Sequence, residues 1–366
     1  MDATPQAEGF RWPAEWEPHR ATWLAWPHNP ETWPGHLEGA VASFVEMARA
    51  LHAREQVCIT VEGPAMEEAV RRRLSQAGIE RGLEFHRFPT NDAWIRDHGP
   101  LFVKKADQVA VVDFRFDSWG RKYPPWDLDD RIPRAIAGAR RMRRFEVDVV
   151  LEGGSVDGNG RGTVLTTESC LLNPNRGPVM SLDRGRVSDS HWGPARTQEA
   201  LELVLHDTLG ATNVLWLAGG IEGDDTDGHV DDFCRFVDPT TVVAAEEEDP
   251  RDPNHAPLAE NLRRLRGMRD QDGKPLAVAT LPMPPPLRIE GLRCPASYAN
   301  FYLANGVALV PVFEAASDAR ALAILREILP GREVVPIPAR ELVVGLGAVH
   351  CLTQQEPAHE APQARG

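Results

Sequence analysis

The sequence predicts a mixed α/β chain built from a repeated helix–strand unit, on three observations. Apolar residues recur at helical spacing in five longer segments, roughly Leu37–Ala53, Asp127–Met142, Thr197–Leu209, Pro257–Met268 and Ser317–Leu329. A short β-rich run follows each, at Val57–Val61, Val147–Leu151, Asn213–Leu217, Leu276–Leu281 and Glu333–Ile337. The helix starts lie about 60 to 90 residues apart, which is the spacing of a repeated supersecondary unit. Five such units could close around an axis with their polar loops converging at one end. A single doubly wound sheet is the alternative.

The elements are justified in chain order. In the first helix Val41, Phe44, Met47, Ala48 and Leu51 share one face. Met66–Ala77 reads as an extra helix before a strand at Leu83–Phe88. Further strand-like pieces follow the main units at Val109–Phe114, Thr163–Thr167, Thr241–Ala245 and Val307–Phe313. Glu246–Asn254 (EEEDPRDPN) reads as a solvated acidic turn. Ser317 is placed to cap the last helix, and Pro330-Gly331 ends it. One domain is expected over residues 1–355, with 356–366 as a frayed tail.

Composition narrows the function class. The 366 residues are 42% hydrophobic and 26% charged, ordinary for a globular protein. No apolar run approaches the roughly 20 residues of a membrane span, and Met1 to Phe10 lacks a signal-peptide pattern. A cytoplasmic location is the expectation. The net charge of -14 disfavours nucleic acid and would mildly steer a cation inward. Five scattered cysteines, Cys58, Cys170, Cys234, Cys294 and Cys351, form no CxxC pair. They argue against a disulfide framework and a structural zinc site.

Four segments carry chemistry. Gly223–Asp232 (GDDTDGHVDD) sets five aspartates around His229. In an extended segment His229 and Asp231 would point the same way, giving a catalytic pair; a metal site and a solvated turn are the other readings. Asn91–Pro100 (NDAWIRDHGP) groups Trp94, Arg96 and Asp97, as a structural ion pair or a cleft carboxylate beside an aromatic wall. In Leu151–Gly154, Glu152 falls at a strand end before two glycines, which permit close approach or simply a turn. In Gly345–Gln355 (GLGAVHCLTQQ), Cys351 lies in a β-like stretch between paired glycines and a polar run. A cysteine in a strand is commonly a small core hydrophobe, but this setting is unusual for one.

Together these segments closely resemble the agmatine deiminase family, part of the wider guanidine-modifying group that includes arginine and peptidylarginine deiminases. The resemblance runs through ATWLAWPHNPETW at Ala21–Trp33, NDAWIRDHGP, YPPWDLDD at Tyr123–Asp130 and LEGGSVDGNGRGTVLTTESCLLNPNR at Leu151–Arg176. It continues through TDGHVDDFC at Thr226–Cys234, ASYANFYLANG at Ala296–Gly306 and HCLTQQ at His350–Gln355. It implies a five-bladed α/β propeller (the pentein fold) with its active site on the axis. It also implies Cys351 as nucleophile, His229 as catalytic base and acid, and Asp97, Glu152 and Asp231 as the acidic residues. The chain departs from the family at Leu346 and Ala348, where members carry a GGGNIHC-like run, and at Asp227, where some carry Asn.

The implied reaction is hydrolysis of a C–N bond of a linear amidine, agmatine and water giving N-carbamoylputrescine and ammonia through a covalent thiouronium on Cys351. Asp97 and Asp231 would clamp the guanidinium by bidentate bonds, with Glu152 supporting His229 or sharing the clamp. No metal or cofactor is expected. Trp94 and Trp119 are candidate pocket walls, and Asp225 a candidate partner for the distal ammonium. The expected partner is a small cationic guanidine, with no nucleic acid and no membrane; homo-oligomerisation is left open. An arginine-derivative deiminase would instead need a carboxylate partner such as Arg115 or Arg176. A metal- or polyamine-binding protein is the reading from another class.

Overall fold

A computed structural model describes residues 4–177, 196–289 and 291–359. Among the described residues the strands form four three-stranded sheets of one pattern, a fifth that adds one strand to it, and a separate two-stranded hairpin, Arg288–Ile289 with Leu292–Arg293. In the first sheet Leu101–Lys105 runs antiparallel to Gln108–Arg115, which pairs in parallel with Arg143–Val150. The same order recurs in Asp157–Gly158, Thr163–Thr167 and Asn213–Leu217. It recurs again in Cys234–Phe236, Thr241–Glu246 and Ala277–Pro282, and in Tyr302–Ala304, Val307–Val312 and Glu333–Pro338. The fifth sheet joins the two ends of the chain. Gln354–Pro357 lies antiparallel to His19–Ala25, which pairs in parallel with Gln56–Thr60, and that strand with Leu83–His86.

Each parallel step requires a crossover; Pro64–Gln76, the extra helix expected at Met66–Ala77, joins Gln56–Thr60 to Leu83–His86, and helices from the periodic segments supply the other five. Leu37–Leu51, Ile132–Arg140, Gln198–Leu209, His255–Gly267 and Asp318–Ile328 fill these places. The fold is therefore mixed α/β in five repeated units. A doubly wound fold would hold these strands in one sheet, and they lie in five. The first helix buries Phe44, Met47, Ala48 and Leu51, while Val41 is only half-buried.

Several local expectations shift for physical reasons. The second expected helix begins at Ile132 rather than Asp127, because Pro133 suits a first turn and residues Asp129–Arg131 form a 3-10 turn. Ser317 occupies the N-cap position without capping; its hydroxyl lies 2.8 Å from Tyr298 OH instead. Thr197 does cap its helix, accepting from Ala200 N at 3.3 Å. The expected tail boundary at 356 moves outward. Glu356 is fully buried in the closing strand, where Trp23 Nε1 donates to its carboxylate at 2.9 Å and Arg140 Nε at 3.0 Å. Residues 360–366 lie outside the described residues.

Candidate active site

The repeat places one polar segment just before the antiparallel strand of each unit. Asp97 precedes Leu101, Glu152 precedes Asp157, Asp231 precedes Cys234, Asn300 precedes Tyr302 and Cys351 precedes Gln354. Residues distant in sequence thus meet at equivalent positions of repeated units.

Asp97 sits on a single helical turn, Ile95–His98. Its Oδ1 accepts from Gly154 N at 2.9 Å and its Oδ2 from Trp119 Nε1 at 3.0 Å, which fixes the carboxylate plane. Burial raises its pKa to about 6, with His229 pulling the other way. Arg96 does not pair with Asp97; it donates to Glu15 at 3.1 Å and to Gln355 at 2.8 Å. Trp119 reaches Asp97 from an unusual segment. Ser118, Trp119, Gly120 and Arg121 all have positive φ, at about 1–2 kcal/mol for each non-glycine residue. Asp117 holds this left-handed turn, its carboxylate accepting from Gly120 N at 2.9 Å and its carbonyl from Arg121 N at 2.7 Å. Trp94 packs on Trp33 with centroids 5.4 Å apart and also faces the pocket, so it serves core and wall together.

His229 and Asp231 do face one point, but not through an extended segment. Val230–Asp232 is a 3-10 turn that His229 precedes. The His229 ring is fully buried, with Nδ1 3.7 Å from Asp97 and 4.0 Å from Asp231, and Nε2 3.9 Å from Glu152. These gaps exceed hydrogen-bond length. Both ring nitrogens, Asp231 Oδ1 and Glu152 Oε2 are buried without a protein hydrogen-bond partner, a cluster of unmet polar groups at one place. Burial opposes the charged ring, but Asp97, Cys170 and Glu152 outweigh it and hold His229 well above the usual histidine range. Glu152 is held down at about 2: burial opposes ionisation, while Arg176, its Nε 2.8 Å away, and His229 win. The glycines after Glu152 are required by space. A Cβ on Gly154 would stand 2.6 Å from His229 Nδ1 and 2.8 Å from Asp97 Oδ1.

Cys351 lies in a turn before the closing strand, not within a strand. Its Sγ is 3.1 Å from Asn300 Nδ2 and 3.8 Å from Asp231 Oδ2. Burial, then Asp231, Asp232 and Asp97, push this thiol well above the ordinary cysteine range. His350 beside it spans two carboxylates, Nδ1 2.6 Å from Asp231 and Nε2 2.8 Å from Glu15. Burial works against an ionised Asp231, but His350 and then His229 hold it below the usual range.

A pocket of about 490 Å³ opens onto Cys351, Asp97, Trp94, Trp119 and Asp225, with His229, Asp231 and Glu152 fully buried behind them. Asp225 is already engaged by Lys122 Nζ at 3.3 Å and by the Tyr123 hydroxyl. Neither arginine suggested as a carboxylate partner lines this pocket. Arg115 joins a network with Asp130, Glu146 and Asp148, and Arg176 is buried against Glu152 and Asp227. Glu152, Cys170 and His229 stand close enough to hold a metal ion. Arg176 donates to Glu152 there at 2.8 Å and already supplies positive charge. Asn300, His350 and Glu15 escaped the sequence reading as site residues, and Arg176, suggested there as a carboxylate partner, donates to Glu152 instead. A histidine directly before the cysteine, and an asparagine inside the apolar run ASYANFYLANG, were the available signals.

Repeated α/β units that set Cys351 and Asp97 on one pocket, with His229, Glu152 and Asp231 buried behind them, fit a guanidine-modifying class of hydrolase. The chain belongs to the Porphyromonas-type peptidyl-arginine deiminase family, which it matches over residues 11–357. Within that family it is similar to proteins called agmatine deiminase. The Pseudomonas aeruginosa (strain LESB58) agmatine deiminase is 40% identical, covering 97% of this chain and 98% of that one. The structure of the Enterococcus faecalis agmatine deiminase, described as catalysing its reaction, superposes with a TM-score of 0.86 at 32% identity, over 98% and 99% of the two chains. A cysteine-to-serine C. jejuni agmatine deiminase with substrate bound gives a TM-score of 0.83 at 28% identity, over 96% and 97%.

Proposed function

We propose that this chain hydrolyses agmatine to N-carbamoylputrescine and ammonia, with Cys351 as nucleophile. The observation that carries the reading is the cluster of unmet buried polar groups on His229, Asp231 and Glu152, set against Cys351 and Asp97. Guanidinium N–H groups suit the open acceptor Asp231 Oδ1, and a planar cation between Asp97 and Asp231 would present its carbon to the sulfur. The arriving cation favours release of the thiol proton to solvent. The thiolate then adds to the guanidinium carbon. His229, held protonated, gives its proton to the departing nitrogen, and ammonia leaves a thiouronium on Cys351. Neutral His229 next takes a proton from water as the hydroxyl adds. The second adduct expels the thiolate, the hydroxyl proton passes to that sulfur to restore the thiol, and the neutral ureido product remains. Glu152, tied to Arg176, stabilises the imidazolium rather than sharing the clamp.

The pocket charge favours agmatine over arginine. Among the described residues its lining holds the carboxyl groups of Glu31, Asp92, Asp97, Asp129 and Asp225 and one cation, Lys122, which is paired with Asp225 and Asp227. Such a lining suits a dication and disfavours an α-carboxylate. Asp225 is the proposed partner of the distal ammonium, in exchange with Lys122, and Trp94 and Trp119 flank the chain. We read the five units as blades closing around an axis through this site, and the location as cytoplasmic, in putrescine formation.

The test is a panel of agmatine, arginine and a blocked peptidyl-arginine, assayed for ureido product with Cys351→Ala as control. Turnover of agmatine that Cys351→Ala abolishes and chelators leave unchanged supports the reading. Preference for the blocked arginine would move the assignment to a peptidyl-arginine deiminase, and no product from any of them would overturn it.

A further inference from the structure

We propose that Asn300 is a further catalytic residue, whose side-chain amide donates a hydrogen bond to the Cys351 sulfur and holds it as the attacking thiolate. The orientation of the amide is fixed by its surroundings. Its Oδ1 accepts from the backbone N–H of His350 at 2.9 Å, with Cys351 N at 3.5 Å. The NH2 group must therefore face the other side, where it meets Asp232 Oδ1 at 3.0 Å and Cys351 Sγ at 3.1 Å. Asn300 is 1% exposed and Cys351 5%, so the bond is shielded from water. The position also fits the repeat. Asn300 stands just before Tyr302–Ala304, where the other four units place Asp97, Glu152, Asp231 and Cys351.

The sulfur needs such a donor. Asp231 and Asp232 face it from the turn after His229, and Asp97 faces it from Ile95–His98. The imidazoles of His229 and His350 lie beyond Asp231. All three facing carboxyl groups disfavour a thiolate, and among the described residues Asn300 is the side-chain donor in contact with it. A neutral amide raises the thiolate share without competing for the guanidinium, and it stabilises the same thiolate when it leaves the second adduct.

The inference rests on Cys351 being the nucleophile, and the experiment separates the two. Iodoacetamide alkylates Cys351 in the free enzyme: the thiolate forms the C–S bond, iodide leaves and the thiol proton passes to buffer. The rate is followed against pH in wild type, Asn300→Ala and Asn300→Asp, with the modified cysteine identified by mass spectrometry. Asn300→Asp keeps shape and the acceptor for His350 N but removes the donor. Both variants are expected to react about tenfold slower near pH 8, with the midpoint moved upward. Folded variants that react within twofold of wild type at an unchanged midpoint overturn the role of Asn300. Should neither variant fold, the wild type decides. The Asn300 side-chain amide NMR resonance is expected to shift as Cys351 ionises, and a resonance that stays fixed overturns the proposal. Retained activity after complete alkylation of Cys351 would instead remove the nucleophile reading itself.

Discussion

His350 holds Asp231 through its Nδ1 at 2.6 Å while its Nε2 stands 2.8 Å from Glu15. Both ring nitrogens are thus within hydrogen-bond reach of a buried carboxylate. Glu15 is anchored in turn by Arg96 at 3.1 Å, Arg235 at 2.9 Å and Leu303 N at 2.8 Å. The clamp carboxylate of the proposed reaction thus rests on a buried ionic chain. Replacing His350 with Leu leaves Asp231 without this partner. We expect a loss of about 3–5 kcal/mol in unfolding free energy, read by urea denaturation. His350→Asn, which retains one donor toward Asp231, is expected to recover part of it.

Gly154 is predicted to be irreplaceable for activity but not for folding. A methyl group there would stand among His229 Nδ1, Asp97 Oδ1 and Asp231 Oδ2, at 2.6, 2.8 and 3.0 Å. Its φ is not in the left-handed region, so alanine fits the backbone. Gly154→Ala should lower kcat/KM by about 100-fold or more and cost about 1–3 kcal/mol of stability through overpacking. A variant with wild-type kinetics would show that these groups need not stay where they are.

The pH profile should carry the signature of Asp97. Its folded carboxyl ionises near 6 because of burial, with His229 opposing, against about 3.9 in an unfolded chain. Between these values the native state binds more protons, so this group makes stability fall as pH rises from about 4 to 6. The contribution is on the order of 3 kcal/mol. Urea titrations of wild type and Asp97→Asn should differ in that window. Rising pH also creates the carboxylate that clamps the guanidinium, so agmatine kcat/KM should climb through about pH 6. A flat profile there would dismiss this assignment.

Leu346 stands at φ 70, a conformation that favours glycine, and it lines the pocket between two glycines packed against Trp94. Strain retained at a pocket wall points to use of the side chain. Leu346→Gly should leave stability within about 1 kcal/mol, since relieved strain and added unfolded-chain freedom oppose each other. It should also raise the rate on arginine relative to agmatine by widening the wall. An unchanged substrate ratio would remove Leu346 from specificity.

The five helix–strand units were legible because each parallel crossover carries a helix whose apolar face repeats every 3.6 residues. Short antiparallel strands were harder to see. Tyr302–Ala304 spans three residues, too short for a periodic pattern to declare itself. Cys351 was found through its neighbours in the motif, although the β-like reading of its segment gave way to a turn. Asp225 was named as a candidate, but its engagement by Lys122 and Tyr123 is a contact no local pattern encodes.

The sequence by itself determined the order of the units, the residue types that carry the chemistry and the family to which they belong. These follow from local periodicity and from motifs read along the chain. Only the tertiary structure decided which groups touch. It turned Arg96 away from Asp97 toward Glu15, tied Glu152 to Arg176, put His350 behind Asp231 and set Asn300 on the Cys351 sulfur. Each of these depends on a distance between residues of different units. Such distances come from packing separate sheets together, and burial then makes every unpaired polar group costly enough to fix its partner.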